Sequence, residues 1–159
     1  MKKNYGFTLV ELVMVIVIVA ILAFVSVPIY RGNVERSYTL EGMALLNEAA
    51  AAQEIFKDRY GRFWGDGTVG DENATTNIEK LKKDLGVDAR RNYYFKEIAF
   101  TEVSPAGTRF VVTASADLNT KARGIVMSLT WTDSAAPKIT AKITDSDGNV
   151  RPIKGYVTD

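Results

Sequence analysis

The 159-residue chain contains no cysteine and no histidine, only four prolines, and almost no charge imbalance, with 20 lysines and arginines against 19 acids. Each absence narrows the function. Without histidine or cysteine there is no imidazole base, no thiol nucleophile, no disulfide, and no donor set of the usual zinc or iron–sulfur kind. Catalysis would have to rest on carboxylates, lysines or hydroxyls. The seven serines show no lysine three positions on, no G-x-S-x-G elbow occurs, and no phosphate-loop Gly-Lys pair is found. The sequence therefore reads as non-enzymatic, with no catalytic residue, no metal site and no cofactor. Near-neutral charge also argues against a chain built mainly to grip nucleic acid.

Charge is absent from one long stretch as well. Leu12 to Tyr30 is an uninterrupted run of 19 uncharged residues, mostly Val, Ile, Leu, Ala and Phe. At about 1.5 Å per helical residue it nearly spans a hydrocarbon slab of roughly 30 Å. Lys2 and Lys3 precede it, so the short N-terminus is expected in the cytoplasm and the rest of the chain outside. A removable secretory signal fits less well, because its apolar core is shorter and ends in a small-x-small site that Val25-Ser26-Val27-Pro28 does not supply. Glu11 intrudes at the start of the run. A carboxylate at the margin of an apolar slab is either a functional charge or simply an acid favoured by the helix N-terminus.

The stretch Lys2-Lys3-Asn4-Tyr5-Gly6-Phe7-Thr8-Leu9-Val10-Glu11-Leu12 resembles the N-terminus of type IV prepilins and pseudopilins. The resemblance implies a basic leader, residues 1–6, removed by a prepilin peptidase that cuts after Gly6 and methylates the new N-terminal Phe7. It implies that Glu11 pairs with the terminal amine of a neighbouring subunit, and that Pro28 marks a bend or local melting of the helix in the filament. Many members carry a glycine where this chain has Ala20. Pairing is physically coherent: cleavage removes both lysines, and a lone carboxylate and a lone ammonium at a membrane margin each gain from the other. Further implied partners are copies of the same chain packed through N-terminal helices, an assembly platform protein and a cytoplasmic ATPase. The implied location is the bacterial inner membrane as a single-pass precursor with its head outside the cytoplasm, then an extracellular pilus. A secretion pseudopilus is the alternative, and a DNA-uptake pilus a further one.

Beyond residue 30 the pattern predicts an α+β head. Helix continues to about Tyr60, with Tyr38, Leu45, Ala52, Phe56, Tyr60 and Phe63 on one face; Gly32 is the one place where it could break. The expected domains are the leader 1–6, the membrane and polymerisation helix 7–30, and the head 31–159. Gly65, Gly67 and Gly70 have dinucleotide-loop spacing, but they follow a helix and sit among Asp66, Asp71 and Glu72, so a solvated loop is expected. Thr76-Asn77-Ile78-Glu79 reads as a capping box opening a helix that Gly86 closes. Asn73-Ala74-Thr75 has the form of a glycosylation acceptor. Strands are expected over 93–103, 108–116, 124–132, 138–144 and 150–157, forming an antiparallel sheet. Lys138 to Ile143 alternates, which predicts one wet face and one face packed on the helix. Asp145-Ser146-Asp147-Gly148-Asn149 has the opening of a calcium loop but lacks its later glutamate, so a hairpin turn is expected. Arg90-Arg91-Asn92-Tyr93-Tyr94-Phe95-Lys96 mixes cations with aromatics and reads either as the start of a strand or as a nucleic-acid contact. Many pilins close their C-terminal region with a disulfide; here sheet and loop contacts, or neighbouring subunits, must do that work.

Overall fold

The computed structural model describes residues 7–65, 78–104, 107–145 and 147–156. Gly6, the glycine-rich loop beyond Gly65, Asn73-Ala74-Thr75 and the Thr76 half of the expected capping box lie outside them. Two units are distinguished, residues 1–34 and 35–159.

The first helix, α1, runs Leu9–Tyr60 without a break at Pro28 or Gly32. Proline is accommodated because membrane-type helices tolerate the lost hydrogen bond. In the first unit every residue from Phe7 to Asn33 is exposed, so among the described residues nothing covers the apolar stretch. The helix stops where Gly61 takes up φ 71° and donates its N–H to the Lys57 carbonyl at 2.7 Å, a left-handed cap that glycine adopts without penalty.

In the second unit, residues 35–60 of α1 lie on a five-stranded antiparallel meander of order β1-β2-β3-β4-β5: Phe95–Val103, Arg109–Ala116, Ile125–Thr132, Ala135–Thr144 and Val150–Pro152. A short helix, α2 (Ile78–Leu85), and a 3-10 turn at Ala89–Arg91 join helix to sheet. This is the α+β architecture expected from the sequence. Inward residues of each strand form the core with α1: Phe95, Ile98 and Phe100 from β1, where a register shift after Phe95 breaks the alternation, Phe110, Val112 and Ala114 from β2, Ile125, Met127 and Leu129 from β3. Ile139, Ala141 and Ile143 of β4 turn inward, as the alternation requires.

The buried face of α1 differs from the expected one. It is centred on Thr39, Gly42, Leu45, Leu46, Ala49, Ala50 and Gln53. Tyr38, Ala52 and Phe56 flank it, half-buried, and Tyr60 is 58% exposed. The closest contacts use residues that an apolar count passes over. A Cβ on Gly42 would stand 2.7 Å from Met127 Sδ and 2.8 Å from Phe95 Cζ, so the glycine lets the sheet approach the helix. Gln53 is fully buried; its Nε2 donates to the Trp64 carbonyl at 3.0 Å and its Oε1 accepts the Trp64 N–H at 2.8 Å. That exchange pins the segment after α1 and places Phe63 and Trp64 against Phe100, Phe110 and Trp131.

Strand ends also moved. β1 begins at Phe95 rather than Tyr93, because Asp88 caps the 3-10 turn and Glu41 of α1 accepts the N–H groups of Tyr93, Tyr94 and Phe95 at 3.2, 2.6 and 2.9 Å. β4 begins at Ala135, three residues early, with Pro137 inside a register shift opposite Trp131, where a missing N–H leaves the ladder intact. β5 ends at Pro152 rather than near Val157. Ile153 is buried, and Tyr156 and Thr39 share a hydrogen bond of 2.6 Å between their hydroxyls.

Candidate functional site

The sequence places its functional candidates at the start of α1. Phe7 is 86% exposed. Thr8 and Glu11 cap the helix reciprocally: Glu11 N–H donates to Thr8 Oγ1 at 3.3 Å, while Thr8 N–H and Thr8 Oγ1 both donate to Glu11 Oε2, at 2.9 and 2.8 Å. The Leu12 N–H reaches the Thr8 carbonyl at 3.2 Å. This is a capping box, which satisfies donors that the first turn otherwise leaves without partners.

The box was legible as Thr8-x-x-Glu11 and was missed because Glu11 was weighed as a charge and not as a cap. Its two roles are compatible. Both contacts from Thr8 fall on Oε2, so among the described residues Oε1 retains its lone pairs for a cation. The capping bonds also fix the side chain at the helix start. Pro28 stands 17 residues along the same helix, exposed, and is not brought near Glu11.

In the second candidate region two cations are paired within the head, and Arg91 is exposed. Arg90 bonds Asp88 through Nε at 3.0 Å and pairs with Glu79 through Nη1. Lys96 pairs with Asp117 at 3.3 Å. These cations already face carboxylates. Asp88, with a side chain 7% exposed, also pairs with Lys82 at 2.9 Å. The Arg90 guanidinium first and then the Lys82 ammonium hold its carboxyl far below the usual carboxylate range. Asp145 shapes the β4–β5 hairpin by accepting the N–H groups of Asp147 and Asn149 at 3.0 and 2.8 Å. The Asn149 N–H is the main cause of its lowered pKa. Among the described residues no group of three or more acids gathers as a metal cage.

Residues 1–27 match the prokaryotic N-terminal methylation motif. The chain is 31% identical over 121 residues to fimbrial protein EcpC of Eikenella corrodens, covering 76% of this chain and 67% of that one. This chain belongs to the type IV pilin family. The alignment with EcpC is far longer than the first unit, so the head is part of the likeness. The N-terminal helix is long and apolar enough to cross a membrane, with none of its most apolar window buried, which fits a membrane-anchored precursor.

Proposed function

We propose that this protein is a structural subunit of a surface type IV pilus, assembled from the inner membrane after removal of residues 1–6 between Gly6 and Phe7. Residues 7–30 serve as membrane anchor and then as polymerisation helix, and residues 31–159 form the displayed head. The observation that carries this reading is the fully exposed apolar helix that begins at the Thr8–Glu11 capping box. An apolar surface of that extent needs either lipid or other copies of itself. In the precursor lipid covers it; in the filament neighbouring helices replace lipid. Cleavage leaves the Phe7 amine as a cation beside the helix start, and Glu11 of the next subunit pairs with it, so a subunit in the wrong axial register leaves an unpaired charge. Retention of Glu11 supports a place in the shaft. The prepilin peptidase, a platform protein and a cytoplasmic ATPase complete the system.

The similarity to a fimbrial protein supports the pilus over a secretion pseudopilus. Shearing cells and locating the protein separates them. A surface pilus delivers it to the sheared fraction, and the Glu11→Ala variant leaves that fraction at least about tenfold depleted while accumulating in the membrane, the scale of one lost buried charge contact. Protein confined to the cell envelope in wild-type cells identifies a pseudopilus instead. Full filament yield from Glu11→Ala removes its register role.

A further inference from the structure

Two surfaces of the head are unexplained by its own folding. One is a groove of about 440 Å³ between α1 and α2, lined by Ile55, Phe56, Tyr60 and Leu85 and by the acids Glu48 and Asp84, the latter also accepting from Trp64 Nε1 at 3.0 Å. Ile55 is 61% exposed. Arg59 also lines the groove, leaving an excess of one negative charge. The other is the β2–β3 turn, Asp117 to Gly124. Its tip holds Leu118, 77% exposed, with Lys121 and Arg123 exposed beside it.

That turn is ordered. Asp117 Oδ1 accepts the Asn119 N–H at 2.9 Å, the Asp117 carbonyl accepts from the Thr120 hydroxyl at 2.8 Å, and Ala122 is fully buried beneath. A leucine held out on a fixed polar turn is a knob with no partner among the described residues of its own subunit. The groove offers an apolar lining and two acids; the knob offers an apolar tip and two cations. Shape class and charge are complementary.

The two features sit at different levels of the head. The Asp117 N–H bonds the Tyr94 carbonyl at 2.7 Å, and the Tyr94 N–H is clamped by Glu41, so the turn lies level with Glu41. The groove centres on Ile55, 14 residues further along the same helix, about 21 Å by the helical rise. Two complementary patches at different places on one molecule make a heterologous contact, and when its rotation does not close the result is an open helical array. We infer that the Leu118 turn of one subunit seats in the α1–α2 groove of the next, a head-to-head contact that extends the filament alongside the N-terminal helices. This rests on the polymer reading above.

The cysteine-free sequence makes the test clean. Leu118→Cys and Ile55→Cys are combined in the full chain, and sheared filaments are treated with a short bifunctional maleimide. A ladder of covalent oligomers is expected from the pair, and no ladder from either single variant. Assembled filaments that yield no ladder from the pair overturn the contact and leave the polymer reading standing. Absence of filaments from the unsubstituted chain overturns the polymer reading itself. Should the pair variant not assemble, Leu118→Asp decides. About tenfold fewer filaments with undiminished membrane-held subunit supports the contact, because one central apolar anchor carries energy of that order. Wild-type yield from Leu118→Asp overturns it.

Discussion

Gly42 shows how one residue sets the spacing between helix and sheet. Alanine is the better helix former by up to about 1 kcal/mol, so on propensity alone Gly42→Ala would stabilise α1. Yet the added Cβ would stand under 3 Å from both Met127 and the fully buried Phe95 ring. Overpacking a close-packed core costs typically about 1–3 kcal/mol, which outweighs the propensity gain. The full-length protein in detergent micelles, unfolded with urea and followed by Trp64 and Trp131 fluorescence, is expected to lose about 1–2 kcal/mol on Gly42→Ala. An unchanged or raised midpoint would show that the sheet and helix can separate without penalty. Glu11 belongs to the same scale: its carboxylate closes the first turn of α1, and the proposed pairing with a neighbour's amine would use the same group. Missing the first role came from reading the residue by its charge, when the threonine three positions before it carried the cap.

Among the elements, the long helix was the most legible. Its boundaries follow from an apolar run, an alanine-rich stretch and the Gly61 stop, all local signals. Strand positions in β2 and β3 were legible for the same reason, since alternation and flanking glycines are local too. What escaped was decided by tertiary contacts. The inward face of α1 is set by where the sheet comes closest, at Thr39, Gly42 and Gln53, and these residues carry no apolar signal. The start of β1 is set by Glu41, whose three backbone contacts lie more than fifty residues away in sequence. The C-terminal segment is held without a disulfide by the Tyr156–Thr39 hydrogen bond and the Arg151–Glu35 ion pair, 3.1 Å from Nη1 to Oε2. No spacing rule joins those pairs.

The α2 to 3-10 junction is the element where charge matters most. Asp88 takes bonds from Arg90 and Lys82, and its folded-state pKa lies well below the ordinary value. Such a group stabilises the fold fully above its unfolded pKa of about 4, and that stabilisation is lost as pH falls from there through the folded value. Stability is therefore expected to be level from about pH 5 to 7 and to fall as the pH drops below about 4. Asp117 and Asp145, also lowered, mainly by the N–H groups of Asn119 and Asn149, add to the slope. Asp88→Asn should flatten the slope between pH 5 and pH 3 in urea titrations without abolishing it. An identical slope in the variant would mean that Asp88 gains nothing from its two cations in the folded state.

For the whole molecule, one helix runs through both units, and its sequence differs between the halves. Residues 12–30 are uncharged and, among the described residues, covered by nothing. Residues after Val34 form one layer of an α+β head whose other layer is the meander. The family was legible at the N-terminus because its motif lies in a linear stretch of chain, residues 1–27. Surfaces that join heads are assembled from separate elements, the α1–α2 groove from one pair and the Leu118 turn from another, and only the folded chain brings them into view.

The central claim is that assembly follows cleavage between Gly6 and Phe7. The most direct measurement is the intact mass of the protein recovered from assembled filaments. The expected mass begins at Phe7 and carries one added methyl group. A mass beginning at Met1 in assembled filaments, or one beginning beyond Tyr30, would contradict it: the first by showing polymerisation with the leader in place, the second by showing that the apolar helix is discarded.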